Sequence, residues 1–126
     1  PVAGCGIDLV ETDRMRLAIE RWGAGLRNRV FRVEEQRYCE SRPSPWRHYA
    51  GRFAVKEAVA KAFGTGIGAD LGWLDIHVRR NASTGEPAVE LCGPGIRLAD
   101  ARGVRTIFIS LSHTHRYAVA QAILTR

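Results

Sequence analysis

The segment from Ser44 to Gly64 constrains the fold most strongly, because it carries the signals for both ends of one long helix. Ser44 followed by Pro45 is typical of an N-cap residue and the first helical position. Gly64 is the residue type that most often follows a helix C-terminus. We therefore predict a helix from Pro45 to about Phe63, the longest in the chain. No repeat or linker interrupts the sequence, so residues 1–126 are predicted to form one domain.

The other predicted elements mix helices and strands without a regular alternation. Helical periodicity in residues 13–26 places four apolar side chains on one face: Met15, Ile19, Trp22 and Leu26. Two shorter helices are predicted at 33–40 and 94–102. Apolar or alternating segments predict strands at residues 2–10, 74–78, 88–92, 106–111 and 117–124. We classify the fold as α+β with a mainly antiparallel sheet.

The length of the chain bears on its assembly. A domain of 126 residues buries only about two-thirds of the surface of its unfolded chain. A deep cleft is hard to build from one such chain, which favours an oligomer with shared sites. No apolar run approaches the roughly 20 residues that span a bilayer, and no signal peptide is evident, so we expect a cytoplasmic protein without membrane contact. Three scattered cysteines are expected to be reduced: Cys5, Cys39 and Cys92.

The net charge of +6, from 19 basic and 13 acidic residues, predicts a surface that attracts polyanions. Nucleic acid, a phosphorylated cofactor and an acidic partner protein are all compatible with that charge. A nucleic-acid-binding domain is disfavoured, because the basic residues are dispersed among acidic ones and no exposed aromatic platform is evident. Most of the basic residues are arginine, which forms bidentate contacts with phosphate and carboxylate.

Asp8 is the first residue that does not fit its surroundings. It lies in an apolar strand segment that Gly4 and Gly6 interrupt, and those glycines predict close approach of another backbone. A carboxylate among apolar strand residues is costly to bury unless another group pairs with it. Two interpretations remain open here. Asp8 either caps the following helix or serves as a ligand of a hard metal ion.

Glu57 is the second candidate. Phe53, Glu57 and Lys61 are spaced by four in the long predicted helix and therefore share one face. Phe53 and Ala60 suggest that this face points inward. The alternative is an ordinary surface ion pair between Glu57 and Lys61, which contributes little to stability.

Two further segments are weak signals by themselves. The glycine-rich loop from Gly64 to Gly68 admits a phosphate or an extended ligand close to the backbone, but many helices end in glycine. The polar segment from Ser112 to Thr114 follows a predicted strand, and His113 within it is either a phosphate contact or a solvated turn residue. Neither a nucleotide-binding glycine motif nor an activated serine or cysteine is identifiable.

Taken together, these segments resemble the holo-acyl-carrier-protein synthase family of phosphopantetheinyl transferases. Gly6 to Asp8 matches the family's opening motif, and Phe53 to Lys61 matches its aromatic-x-x-K-E-A-x-x-K helix. The loop at 64–68 and the segment 112–121 match its later regions. The resemblance covers essentially the whole chain. One departure is Phe53, where the broader superfamily often has tryptophan.

The resemblance implies an activity, namely the transfer of 4'-phosphopantetheine from coenzyme A to a serine of an apo acyl carrier protein. It implies that Asp8 and Glu57 bind Mg²⁺ and that Lys61 contacts the pyrophosphate of the coenzyme, which makes these three the expected catalytic residues. The base that accepts the serine proton is left open between Glu57 and a water molecule. The expected coenzyme-binding residues, besides Lys61, are Arg52, Gly64, Gly66, Ser112, His113 and Thr114.

The resemblance also implies two kinds of protein partner. Chains of this single-lobe type are expected to form homotrimers with active sites between subunits. Acidic carrier proteins dock on the first helix, where Arg14 and Arg21 match the docking positions and Arg27 extends the basic patch. A solvated basic face is the alternative for these arginines. A rival to the whole interpretation is a non-catalytic lobe that only binds a carrier protein, and the carrier itself is not identified by the sequence.

Overall fold

The computed structural model describes residues 1–126 and confirms the α+β class. Four helices occur in chain order: α1 (Thr12–Val30), α2 (Val33–Glu40), α3 (Pro45–Phe63) and α4 (Pro94–Arg102). Five strands accompany them: β1 (Val2–Glu11), β2 (Ile76–Arg80), β3 (Pro87–Leu91), β4 (Thr106–His113) and β5 (Tyr117–Thr125). The strands form an antiparallel three-stranded sheet in the order β1-β5-β4 and an antiparallel β2-β3 hairpin.

Helix α3 is the centre of the domain and has the predicted bounds. Most of its residues are buried, and it packs against β1 and β5. Pro45 occupies its first turn, and Gly64 ends it in the left-handed conformation with φ of 77°. The expected side-chain cap is absent, because Ser44 makes no side-chain hydrogen bond to the first turn. The helix is therefore stabilised by burial of its small apolar residues rather than by its N-cap.

The two glycines of β1 allow the strand to lie directly on α3. A Cβ atom on Gly6 would overlap the carbonyl oxygen of Ala58, and one on Gly4 would overlap that of Ala62. This is the close backbone approach that the sequence predicts. Because side chains alternate along a strand, the same face of β1 also carries Asp8, two residues beyond Gly6.

Helix α1 is broken, which corrects the expectation of one continuous amphipathic face. Gly23 has φ of 60° and ψ of −140°, so the helical phase is lost there. Met15 and Ile19 are buried as predicted, but the Trp22 side chain just before the break is 63% exposed. The predicted strand at 74–78 begins only at Ile76, since Trp73–Asp75 form a single 3₁₀ turn.

A buried ion pair ties α3 to the elements around it. The Lys56 ammonium donates to the Glu35 carboxylate at 2.9 Å and to the Trp73 carbonyl at 2.9 Å, and both charged side chains are fully buried. Glu35 also accepts hydrogen bonds from the backbone N–H groups of Arg32 and Val78. Complete pairing of this kind is what makes a buried charge tolerable. One carboxylate thus joins α2, α3 and β2.

The outer face of the three-stranded sheet carries several apolar side chains that are uncovered in the single chain. Ile7 and Leu9 on β1 are 61% and 63% exposed, and Phe108 on β4 is 58% exposed. The apolar sequence of β1 therefore does not make it a strand that is buried on both faces. Their side chains point away from α3, and no element of this chain covers them.

The close contact between β1 and α3 predicts that Gly6→Ala destabilises the protein. An added methyl group has to displace helix backbone, and overpacking of this kind costs about 1–3 kcal/mol. Gly25→Ala is the matched control, because Gly25 lies in a helical segment with nothing within 4 Å of its Cβ position. Urea unfolding at one protein concentration should show a lower midpoint for Gly6→Ala alone. Equal midpoints for Gly6→Ala and the wild type would contradict the packing described here.

Candidate active site

A cavity of about 490 Å³ lies where β1, α1 and α3 meet. One side of it carries charged groups, and the remainder is apolar. Its lining comprises Asp8, Leu9, Val10, Glu11, Arg14, Met15, Ala18, Leu26, Val30, Phe31, Phe53, Glu57, Lys61 and Tyr117. A concave, largely apolar site with a few convergent polar groups is typical of a ligand-binding or active site.

Asp8 and Lys61 form an ion pair at the charged side of this cavity. The Lys61 ammonium donates to Asp8 Oδ1 at 2.8 Å and to the Ile7 carbonyl at 3.1 Å. The hydrogen bond to Asp8 raises the pKa of Lys61. The Asp8 side chain is only 16% exposed, whereas Lys61 is half exposed. Asp8 thus points into the cavity and does not cap α1, whose first turn receives no side-chain hydrogen bond from its cap residue, Glu11.

Glu57 lies on the same cavity wall as Phe53 and Lys61, as the spacing by four predicts. Burial raises the pKa of Glu57, and the nearby Asp8 carboxylate raises it further, while Lys61 acts in the opposite direction. Lys61 pairs with Asp8 rather than with Glu57, so the simple surface ion pair is not what the structure contains. Two carboxylates that repel each other beside an open cavity are suited to a cation.

The donor set fits a magnesium ion that keeps other ligands. No group of three or more His, Cys, Asp or Glu side chains is arranged to hold a metal ion by itself. Mg²⁺, however, usually takes one or two carboxylates and completes its shell with water and substrate phosphate oxygens. Asp8 and Glu57 supply that number of carboxylates in one cavity. The three cysteines are free and form no metal cluster.

The apolar wall of the cavity is held by stacked aromatic rings. Phe53 stacks on Trp73 with ring centroids 5.0 Å apart and an interplanar angle of 29°. Phe31 lies 5.7 Å from the buried Lys56 ammonium, measured to the ring centroid. Lys56 also donates a hydrogen bond to the carbonyl of Trp73, the residue that stacks on Phe53. The buried ion pair therefore supports the wall at Phe31 and at Trp73.

A second cavity of about 180 Å³ lies on another side of α3. It is lined by Tyr38, His48, Gly51, Arg52, Arg80, Gly85, Pro87, Leu111 and His113. Arg52 is 5% exposed, and its guanidinium carbon lies 4.2 Å from the centre of the Tyr38 ring. Arg42 and Arg80 approach the same ring at 5.7 Å and 5.6 Å. No carboxylate pairs with these arginines, and Arg52 Nε has no hydrogen-bond partner, so this second cavity is suited to an anion.

The second cavity contains only part of the predicted coenzyme-binding set. Of that set, Arg52 and His113 line this cavity. The sequence does not predict three other residues that line this cavity: Tyr38, His48 and Arg80. No local pattern in the sequence distinguishes them from ordinary surface residues. They come from three different elements, and only the tertiary fold brings them together.

Four predicted coenzyme-binding residues do not line either of the two cavities described above. Gly64 and Gly66 belong to the turn after α3 and have positive φ angles. Ser112 is exposed on β4, and the Thr114 hydroxyl accepts a hydrogen bond from the Tyr117 N–H, which closes the turn into β5. Within one chain, these four residues are therefore not assembled with the charged side chains.

The two predicted docking arginines are available on α1. Arg14 lines the first cavity, and Arg21 is exposed with its guanidinium 5.1 Å from the centre of the Trp22 ring. Neither forms an ion pair, whereas Arg16 between them pairs with Glu20 at 2.8 Å. Arg14 and Arg21 thus keep their charges free for an acidic partner.

Comparison with known proteins identifies the family. Residues 4–122 match the model of the 4'-phosphopantetheinyl transferase superfamily. The holo-[acyl-carrier-protein] synthase of Ruminiclostridium cellulolyticum is 44% identical over 121 residues, covering 95% of this chain and 90% of that protein. None of the helices of the present chain is both sufficiently long and sufficiently apolar to cross a membrane.

Solved structures of holo-[acyl-carrier-protein] synthases have the same fold as this chain. The crystal structure of the Neisseria meningitidis holo-[acyl-carrier-protein] synthase matches with a TM-score of 0.92 at 25% identity, over 100% of both chains. The Helicobacter pylori enzyme, crystallised in complex with coenzyme A, matches with a TM-score of 0.85 at 27% identity, over 96% of this chain and 99% of that one. The chain belongs to the 4'-phosphopantetheinyl transferase superfamily and is an enzyme of its holo-[acyl-carrier-protein] synthase type.

Proposed function

We propose that the protein transfers 4'-phosphopantetheine from coenzyme A to a serine of an apo acyl carrier protein in the presence of Mg²⁺. The observation that carries this proposal is the convergence of Asp8, Glu57 and Lys61 in one cavity. The products are the holo carrier protein and adenosine 3',5'-bisphosphate. A cytoplasmic location is part of the proposal.

The charged side of the first cavity accounts for the chemistry. Asp8 and Glu57 would hold Mg²⁺, which when bound neutralises charge on the pyrophosphate and orients it. The Lys61 ammonium lies 2.8 Å from Asp8 Oδ1 and places a positive charge beside the same two carboxylates. We assign it to the pyrophosphate oxygens, where negative charge grows as the bond to the leaving group breaks. The serine oxygen attacks the β-phosphorus in line with that bond.

The second cavity accounts for binding of the rest of the coenzyme. The unpaired guanidinium groups of Arg52 and Arg80, together with His113, are suited to a phosphate monoester such as the coenzyme's 3'-phosphate. The Helicobacter pylori relative binds coenzyme A, which supports coenzyme A as the ligand here. Gly64, Gly66, Ser112 and Thr114 remain proposed contacts that require a neighbouring subunit.

The positions of the two cavities support a homotrimer with active sites between subunits. Arg52 and Glu57 are five residues apart on α3, so their side chains leave the helix about 140° apart. One coenzyme molecule is therefore better placed to use the first cavity of one subunit and the second cavity of its neighbour. The exposed apolar sheet face, with Ile7, Leu9 and Phe108, supplies a surface for such an assembly.

The basic face of α1 is assigned to the carrier protein. Arg14 lines the rim of the first cavity and Arg21 lies further along the same helix, and both lack carboxylate partners. An acidic helix that contacts both arginines would bring its serine to the cavity. Arg27, in the last turn of α1, is a weaker candidate for the same surface.

The proposed reaction predicts a mass gain of about 340 Da on an apo acyl carrier protein, the mass of the phosphopantetheine group. Intact-mass spectrometry with coenzyme A and Mg²⁺ measures it. Glu57→Ala should lower the rate at least about a hundredfold, because the proposed metal loses a ligand. Asp100→Ala, at an exposed position on α4 outside both cavities, is the control. A folded wild-type protein that modifies no fatty-acid or polyketide carrier would contradict the proposal and favour a carrier-binding lobe.

The raised pKa of Glu57 predicts how the Mg²⁺ requirement changes with pH. A carboxyl group must lose its proton to bind a cation, and burial together with Asp8 keeps the proton on Glu57 to a higher pH than usual. The Mg²⁺ concentration for half-maximal rate should therefore rise as the pH falls. Metal titrations of the mass-spectrometric rate at several pH values measure this. A requirement that falls with falling pH would rule out Glu57 as a ligand.

Electrostatic docking predicts that Arg21→Glu raises the KM for the carrier protein about tenfold at low salt, with little change in the KM for coenzyme A. Salt should reduce the difference between wild type and variant, since it screens exposed charges. Arg97→Glu, at an exposed position on α4, reverses the same type of charge elsewhere. If both variants raise the carrier KM equally, the helix α1 face has no special role.

The apolar sheet face predicts that Ile7→Arg disrupts the trimer. A charged side chain at an apolar interface is costly to desolvate, so sedimentation should show particles of one-third the wild-type mass. Ile96→Arg is the matched control, because Ile96 on α4 is also exposed, at 49%. A wild-type protein that sediments as a single chain at micromolar concentration would overturn the proposed assembly.

A further inference from the structure

His48 lies in the second cavity and has no role in the function proposed above. It belongs to α3, one turn before Arg52. Its ring meets the Tyr38 ring edge-on, with centroids 5.5 Å apart and an interplanar angle of 84°. It meets the His113 ring in the same manner, at 5.5 Å and 77°. His48 thus connects the aromatic and the polar walls of the cavity.

The groups that face His48 are neutral or positively charged. They come from α2, the α2–α3 connection, α3, β2 and β4: Tyr38, Arg42, Arg47, Arg52, Arg80 and His113. Burial, and to a smaller extent His113, Arg52, Arg42 and Arg47, lower the pKa of His48 to about 4. His48 is therefore uncharged at neutral pH while the cavity lacks an anion.

His113 is also held in a neutral form. Arg47 Nη2 lies 3.2 Å from His113 Nδ1, and because a guanidinium only donates, Nδ1 must be the acceptor. The hydrogen of the His113 ring is then on Nε2. Burial and Arg47 lower the pKa of His113 as well. The neutral rings of His48 and His113 thus both lie near guanidinium groups that form no ion pair with a carboxylate.

We propose that His48 takes up a proton when a phosphate monoester of the coenzyme enters the second cavity, and so helps to select the phosphorylated form of the coenzyme. This inference rests on the proposed function, which places that phosphate here. A phosphate dianion reverses the local field, since it balances the charges of Arg52 and Arg80 and attracts a further positive charge. Protonated His48 then adds a charge-assisted hydrogen bond or ion pair to the phosphate.

The direction of the pH dependence follows from linkage. Between the low pKa of free His48 and its raised pKa in the complex, binding takes up a proton, so affinity increases as the pH falls. The ligand phosphate acts in the opposite direction, because its second pKa is about 6 and the cavity prefers the dianion. A comparison of the wild type with His48→Gln separates the two effects, since the ligand is the same in both.

The test is isothermal titration calorimetry with adenosine 3',5'-bisphosphate and the full-length protein. Pairs of buffers with different ionisation enthalpies give the number of protons taken up at about pH 5.5, 6.5 and 8. We expect His48→Gln to take up fewer protons than the wild type and to bind about tenfold more weakly at pH 5.5, which corresponds to a rise of about 2.5 in the pKa of His48 on binding, from its free value of about 4. The two proteins should bind nearly equally at pH 8.

Controls distinguish this inference from the function on which it rests. His77→Gln replaces another partly buried imidazole, outside the cavity, and should behave as the wild type. Titration of the His48 ring by NMR, in the free and the bound wild-type protein, should show its pKa rising on binding. Tight binding with equal proton uptake in wild type and His48→Gln would overturn the inference and leave the proposed function standing. Failure of the wild type to bind the bisphosphate at any of these pH values would overturn both.

Discussion

The contact between β1 and α3 is the constraint on which the rest of the site depends. Glycine at positions 4 and 6 lets the strand backbone lie against the carbonyl groups of Ala58 and Ala62. With the strand that close, Asp8 reaches the Lys61 ammonium at 2.8 Å and lies near Glu57. A side chain at either glycine would push the strand away and separate the carboxylates. The backbone packing therefore sets the geometry of the charged groups before any ligand arrives.

Helix α3 carries two rows of charged and aromatic residues, and within each row the residues are four positions apart. Phe53, Glu57 and Lys61 form the row that faces the first cavity. A second row begins with His48 and Arg52 in the second cavity and ends at Lys56, which is buried against Glu35. Rows of this spacing lie on one side of a helix, so one rigid element fixes the relative positions of both cavities. The Lys56 ion pair anchors that element to α2 and β2 through Glu35.

Sequence reasoning located the groups whose positions depend on local geometry and missed those that depend on distant contacts. The spacing of Glu57 and Lys61 follows from the helix itself, and the closeness of β1 to α3 follows from glycine in a strand. Tyr38 and Arg80 join Arg52 only because α2 and β2 pack around α3, and no periodicity records that. The face expected for α1 was wrong at Trp22, which is exposed immediately before the break at Gly23.

The two cavities differ in charge, and the proposed reaction uses that difference. The first cavity holds carboxylates of Asp8 and Glu57 that repel an anion unless a cation intervenes, whereas the second holds arginines without partners. A phosphate monoester can therefore bind in the second cavity without a metal ion, because Arg52 and Arg80 already supply positive charge. The pyrophosphate, in contrast, is repelled by the carboxylates of Asp8 and Glu57 unless a cation lies between them. In the proposed reaction, the coenzyme would thus be anchored by cations of the chain alone, whereas its pyrophosphate would need a metal ion from solution in addition to Lys61.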